Sequence, residues 1–337
     1  MVEPQLVSAR RAVCLGGGTG VAIVGRGLVD AGWRVTAVVA TTDNGRSTGL
    51  VRRWFEMPAP GDLRSVLAAF ASDAELRELF DYRFELPAVP QLRGVAFGNL
   101  LLGVLTTITG SLESAVAIAA RLAGTPIGVA PVTTVCADLC AELDDGSIVR
   151  GEVEVRRPGK PPVRRVFLDP PAAATDAAVR AIEDAELVTL GPGSLFTSVL
   201  ACLAVNGIVE ALRTTRARRV YVANTTTQPG QSDQLSLAAQ IDRVLTVTGG
   251  ALDLVLVNAG QPEPALVARH AAAGRRLLAL SEPEREQLEA RGLRVVLADV
   301  VEQEAPARDL WQKDDALRHD ATKLGRTLTT LLAELDR

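Results

Sequence analysis

Residues 12–20 read AVCLGGGTG and residues 21–32 continue VAIVGRGLVDAG. A short apolar run meets a loop with four glycines in five positions, then apolar residues recur at helical spacing until Gly32. That sequence of patterns is a strand handing over to a helix. The β-branched run RVTAVVAT (34–41) follows as a second strand. A strand–helix–strand crossover of this length places its strands parallel, so the opening predicts an α/β protein with a doubly wound, mainly parallel sheet. Alternation resumes later, with a helix at 175–184, strands at 186–190 and 218–224, the strands DLVLVN and RVVLADV, and an amphipathic tail helix over 317–334. Between these halves, 132–168 is strand-like. It contains AELDDGSIVRGEVEV, which reads as a hairpin turning through Asp145-Gly146. Helices are expected near 62–81 (two), 97–107 and 111–123, the last capped by Ser111 and stopped by Gly124. One domain over 12–335 with a β-hairpin excursion accounts for the whole pattern.

Composition removes several functions. Hydrophobic residues make up 47% of the chain and aromatics 4%, so the core is built from Val, Leu, Ala and Ile and base stacking is not the main binding mode. A net charge of −4 without a long basic run argues against a nucleic-acid surface. The first residues, MVEPQLVSARRAVCLGGG, lack the apolar core of a secretion signal, and no stretch sustains the ~18 apolar residues of a membrane span. A cytoplasmic protein without membrane insertion is expected. The four cysteines (Cys14, Cys136, Cys140, Cys202) read as buried free thiols, since two histidines leave too few partners for a zinc site. His270 and His319 are the only histidines for a Ser-His-Asp triad, and no G-x-S-x-G elbow occurs.

Polar loops follow the strands, which is where open parallel sheets bind ligands. Gly16–Gly20 bares N–H groups at a helix start, the arrangement that holds phosphate without a lysine. Val21 stands where a dinucleotide fingerprint needs a third glycine, which weakens a nicotinamide reading. GPGSLFTS (191–198) repeats the strand–glycine–helix theme, with Gly191 and Gly193 clearing space and Ser194 either a ligand contact or an N-cap. The segment TTDNGRSTGLVRRWFEMPAPG (41–61) is too long for a mere connection. Its Asp43 reads as a ribose acceptor, a Mg²⁺ ligand or a turn residue that bonds its own backbone. Asp62 in PGDLR is a helix cap or, with Arg64, an anion contact. Asn99 sits in an apolar helix and needs a partner; Asn224 and Gln228 end another strand among threonines, a set suited to uracil edges or sugar hydroxyls.

Together these motifs resemble the YvcK/CofD-like family. The resemblance rests on GGGTG (16–20), DNGRSTG (43–49) in place of the pattern DDGGSSG, PGDLR (60–64), FGN (97–99), LGPGSLFTS (190–198), NTTTQPGQSD (224–233) and RHDATKL (318–324). It implies a Rossmann-like fold. For YvcK-type members it implies binding of a nucleotide sugar such as UDP-N-acetylglucosamine, with a regulatory role in carbon metabolism and cell-wall or cell-shape control. For the transferase branch it implies Mg²⁺-dependent attack of an alcohol on a phosphoanhydride. Carried over, Gly17, Gly18, Thr19 and Gly20 would hold phosphate, Asp43 would be the acidic group facing metal or ribose, and Gly193, Ser194 and Leu195 would form the second nucleotide loop. Asn44 and Arg46 depart from the pattern: the first removes a carboxylate, while the second could neutralise a diphosphate directly beside Ser47. FGN also lacks the preceding His usual in YvcK. Folds of this kind commonly form homo-oligomers, so self-association is a further expectation.

Overall fold

The computed structural model describes residues 9–303 and 317–335; the first eight residues, where a secretion signal's apolar run was sought, lie outside them. In chain order the elements are β1 (Arg11–Gly16), α1 (Gly18–Asp30), β2 (Arg34–Val39), α2 (Arg46–Trp54), α3 (Gly61–Ala69), α4 (Ala74–Asp81), α5 (Phe97–Thr109) and α6 (Leu112–Ala123). Next come β3 (Gly128–Pro131), β4 (Asp138–Leu143), β5 (Ile148–Arg150), α7 (Glu152–Arg156), β6 (Val163–Asp169), α8 (Asp176–Glu183) and β7 (Leu187–Leu190). The chain continues through α9 (Leu200–Leu203), α10 (Ile208–Thr214), β8 (Arg218–Val222), α11 (Leu237–Val247), β9 (Leu254–Asn258), α12 (Pro264–Ala272), α13 (Glu282–Glu289), β10 (Arg294–Ala298) and α14 (Ala321–Leu335).

Seven strands form one sheet in the order β10-β9-β8-β7-β1-β2-β3, and every pairing in it is parallel. β1 is central. The chain builds outward to β2 and β3 on one side, then crosses back and builds β7 to β10 on the other. The order therefore reverses between β1 and β7, the place where such sheets bind ligands. Residues of β1 alternate between the two cores: Val13 and Leu15 join one apolar layer, Ala12 and Cys14 the other. That alternation is the two-residue period of a strand covered on both faces.

Two readings change here. The 132–168 region is a three-stranded antiparallel sheet, β5-β4-β6, and the hairpin through Asp145-Gly146 joins β4 to β5. Its distal part, GEVEV, is helix α7 rather than strand, because Gly151 (φ 90°) turns the chain out of the ladder after Arg150. The long segment 41–61 likewise contains helix α2, whose Val51 and Arg52 are buried. Cys14, Cys140 and Cys202 are buried free thiols as expected, but Cys136 is exposed.

α14 closes the molecule over α1. The crossing is tight enough that a Cβ on Gly27 would lie 1.9 Å from the Ala321 carbonyl oxygen, and one on Gly325 would lie 2.0 Å from that of Gly27. Trp33 Nε1 donates to Thr329 Oγ1 across the same contact, at 2.9 Å. Ahead of α14, His319 is 4% exposed. Burial pulls its imidazole down to about 4, against a hydrogen bond to the Ala223 backbone that opposes the shift. Between the ordinary value of 6.5 and about 4, the unfolded chain holds a proton there that the folded chain does not. Stability from this group is complete above that window and falls as pH drops through it, by about 3 kcal/mol in total. Urea denaturation at pH 7 and pH 5 will show a loss in the wild type that His319→Asn reduces.

Candidate functional site

The chain reaches the switch point through two loops that only glycine permits. Gly17 follows β1 in extended backbone and precedes α1, which has no side-chain cap and no acidic residue in its first turn. Its leading N–H groups are left to the helix's positive end. The loop after β7 comes up beside it: a Cβ on Gly20 would sit 1.7 Å from the Pro192 carbonyl oxygen. Gly191 (φ 74°) and Gly193 (φ 152°) give that second loop its left-handed turns. The two glycine motifs, 175 or so positions apart in sequence, thus abut on one edge.

The second loop is held from below. Asn224 Oδ1 accepts from Gly193 N–H at 3.1 Å and its Nδ2 donates to the Gly193 carbonyl at 2.7 Å. Both polar atoms of Asn224 therefore position the loop. Ser194 does not cap the following turn, a single π turn over Leu195–Val199; its hydroxyl donates to Gln231 Oε1 at 2.5 Å and accepts from Thr197 Oγ1 at 2.9 Å. Leu195 is fully buried, so only its backbone could meet a ligand. Gln228 belongs to a neighbouring knot, in which its N–H donates to Ser232 Oγ at 2.9 Å.

Two carboxylates flank the first loop. Asp62 lies in the first turn of α3 but makes no cap; its oxygens stand 2.9 Å and 3.1 Å from where Cβ atoms of Gly17 and Gly18 would be. Asp43 Oδ1 accepts from Gly45 N–H at 2.8 Å, and its Oδ2 lies 3.1 Å from a Cβ built on Gly61, the residue before Asp62. Both acids bear on the Arg64 guanidinium and support its charge, while burial, the larger effect, holds it down at about 10. Thr19 is half-buried in the α1 entry. Two acids beside bare N–H groups suit a Mg²⁺ that shares its ligands with substrate phosphates rather than an all-protein cage. Among the described residues no group of three or more His, Cys, Asp or Glu forms such a cage.

Asn44 faces the other way. Its Oδ1 accepts from Val153 N–H at 3.0 Å, taking the place of a cap on α7 and tying the 43–49 loop to the small sheet. Gly151 is required there, since a Cβ would meet Asn44 Nδ2 at 2.1 Å. Arg46 is exposed and has φ 41°, a left-handed conformation that side chains resist. Ser47 and Asn99 are buried together, with Asn99 Nδ2 donating to Ser47 Oγ at 3.2 Å. Sequence reasoning missed Ser198, whose Oγ comes within 2.5 Å of a Cβ on Gly17, although it stands one turn along the quoted GPGSLFTS motif. It also missed Arg83, which no local pattern marks. Two surface grooves, of about 290 Å³ and about 420 Å³, share no lining residue with this edge.

Arg46 carries a backbone penalty that a glycine would not. Arg46→Gly should exceed Arg46→Ala in stability by about 1 kcal/mol, measured by urea denaturation of the two variants.

The geometry can be set beside known proteins. The family model described as 2-phospho-L-lactate transferase CofD matches residues 12–301. The gluconeogenesis factor of Bacillus subtilis is 33% identical over 323 residues, covering 95% of this chain and 97% of its own. That of Halalkalibacterium halodurans is 33% identical over 322 residues, covering 95% of each. A crystal structure of a UPF0052 family member from Bacillus halodurans superposes with a TM-score of 0.87 at 31% identity, over 96% of this chain and 99% of that one. With ordered motifs, strand order and full-length similarity in agreement, the chain belongs to the YvcK/CofD-like (UPF0052) family.

Proposed function

We propose that the protein binds a nucleotide-linked diphosphate of the nucleotide-sugar class, with UDP-N-acetylglucosamine as the type ligand. The observation that carries this reading is the meeting of Gly20 with Pro192, which sets the uncapped start of α1 and the 191–195 loop on one edge. A diphosphate needs donors on two sides: the uncapped start of α1 would supply them on one, and the Ser194 and Leu195 amides on the other, since the Gly191 and Gly193 N–H groups already donate to Leu15 and Asn224. In this reading the protein is a regulator of carbon metabolism and of the cell wall or cell shape, and it senses its ligand without turning it over. Full-length similarity to proteins named gluconeogenesis factor supports that role. The site needs only ground-state affinity, and Asn44, spent on α7, gives no further carboxylate to chemistry. It acts within the cytoplasm, and the protein makes no use of nucleic acid; none of the helices among the described residues is long and apolar enough to cross a membrane.

A ligand selective for the folded state stabilises it by about 2.7 kcal/mol at a hundredfold excess over Kd. In a thermal-shift panel of UDP-sugars, GDP and NAD, a UDP-sugar will raise the melting temperature by several degrees. Gly18→Val, whose Cβ already approaches Ser65 Cβ at 2.8 Å, will abolish the shift. A flat response across the panel overturns the reading.

One observation favours a second reading, a Mg²⁺-dependent CofD-like transferase that moves a phosphoryl-linked group from a nucleoside diphosphate donor to an alcohol. Asp43 and Asp62 sit where a metal shared with substrate phosphates would be held. When bound, Mg²⁺ would neutralise charge on the transferring group. The Gly17–Gly20 amides and Arg64 would orient the donor. This reading expects Mg²⁺-dependent release of a nucleoside monophosphate from a phosphoanhydride donor, lost in Asp43→Asn. Release untouched by that change removes Asp43 from any such mechanism.

A further inference from the structure

Helix starts in this chain fall into two sets. α4, α6, α8, α11 and α13 are each capped by a side chain, from Asp73, Ser111, Thr175, Ser236 and Ser281. α2 and α5 begin at Gly45 and Ala96 with no side-chain cap and no acidic residue in the first turn. These two first turns meet: Ser47 of α2 and Asn99 of α5 are hydrogen-bonded, which brings two uncapped helix starts together.

One buried guanidinium, of Arg64, and one half-buried, of Arg83, lie at the same place. Arg83 Nη1 donates to Ser47 Oγ at 3.3 Å and to the Gly94 carbonyl at 2.8 Å. Arg64, 7% exposed, pairs through Nη1 with Asp81 and donates from Nη2 to Ser65 Oγ at 2.9 Å. Its stem reaches the pocket only because residue 98 is glycine, where a Cβ would lie 2.7 Å from Arg64 Cγ. The charges feel one another: burial first, then Arg64 and Arg46, hold Arg83 down at about 10. Among the polar atoms here without a hydrogen-bond partner are the donor Arg64 Nε and the acceptor Asn99 Oδ1, the latter on a residue 1% exposed. Leaving such atoms unsatisfied costs about 1–3 kcal/mol each, more for a charged group.

We propose that Ser47, Arg64, Arg83 and Asn99 form a second oxyanion subsite, one that takes a phosphate monoester. Bound as the singly protonated monoanion, the group accepts through its bare oxygens from the guanidinium groups and from the α2 and α5 amides, and its remaining P–OH donates to Asn99 Oδ1, so that Arg64 Nε and Asn99 Oδ1 find partners in one group. The assignment rests on the nucleotide-diphosphate reading only for what occupies the neighbouring site. Asp43 and Asp62, which act on Arg64, couple the two sites electrostatically.

Inorganic phosphate, titrated by isothermal calorimetry into the full chain with and without saturating UDP, tests the assignment. The expected result is one phosphate bound per UDP-saturated chain. That binding weakens at least tenfold in Arg83→Gln and about threefold in Ser47→Ala and is partly restored in Arg83→Lys, with UDP affinity changing less than threefold. Ser47→Ala guards against misfolding of the Arg83 variant, and circular dichroism checks both. One-for-one competition between UDP and phosphate, or phosphate affinity unchanged in both Arg83→Gln and Ser47→Ala, overturns the proposal. If UDP gives no heat while phosphate binds in an Arg83-dependent manner, the diphosphate reading fails and the subsite stands.

Discussion

The packing of β1 between β2 and β7 governs the rest of the molecule. A strand with parallel neighbours on both sides must be followed by a loop that meets its neighbour's loop, and here that meeting leaves no room for a Cβ at Gly20. Sterics, more than hydrogen bonding, select the glycines. The same closeness strips the α1 entry of side-chain caps and leaves its amides facing outward at the edge. Everything chemical about the edge follows from backbone placed by the sheet, with Asp43, Asp62 and Asn224 arranged around it.

The side chains divide into those that hold the site and those that could touch a guest. Asn224 uses both amide atoms on Gly193, and Asn44 uses its carbonyl oxygen on Val153, so each helps to hold a loop in place. Asp62, by contrast, stands in the first turn of α3, past the cap position at Pro60, where its charge favours the positive helix end. The same carboxylate is set against Gly17 and Gly18. Asp43 and Asp62 both act on Arg64, while Asn44 ties its loop to α7.

Much of this was legible in the sequence because it rests on local rules. The β1–α1–β2 opening, the Ser111 cap and Gly124 stop of α6, and the Gly-Pro-Gly turn all follow from periodicity and backbone freedom. Helix α2 was not legible, since RSTGLVRRW is polar and its burial depends on partners distant in sequence, as in the contact of Arg52 with Asp138 at 2.9 Å. α7 was hidden because GEVEV alternates like a strand, and only Gly151 redirects it. α12 and α13 were passed over for want of a strong apolar stripe; each buries few residues, Leu266 and His270 in one and Leu288 in the other. Arg83 belongs to the site through tertiary folding alone: it lies between α4 and α5, and its Ser47 contact spans 36 positions.

The clasp of α14 on α1 bears on how the chain is made. The outer face of α1, including Gly27, is covered by residues synthesised almost 300 positions later, as the Trp33–Thr329 separation of 296 records. Until α14 has been made, that apolar surface stays wet. Assembly of this layer is therefore set by the arrival of the fifteen residues of α14, a contact between elements far apart in the chain that local folding cannot supply.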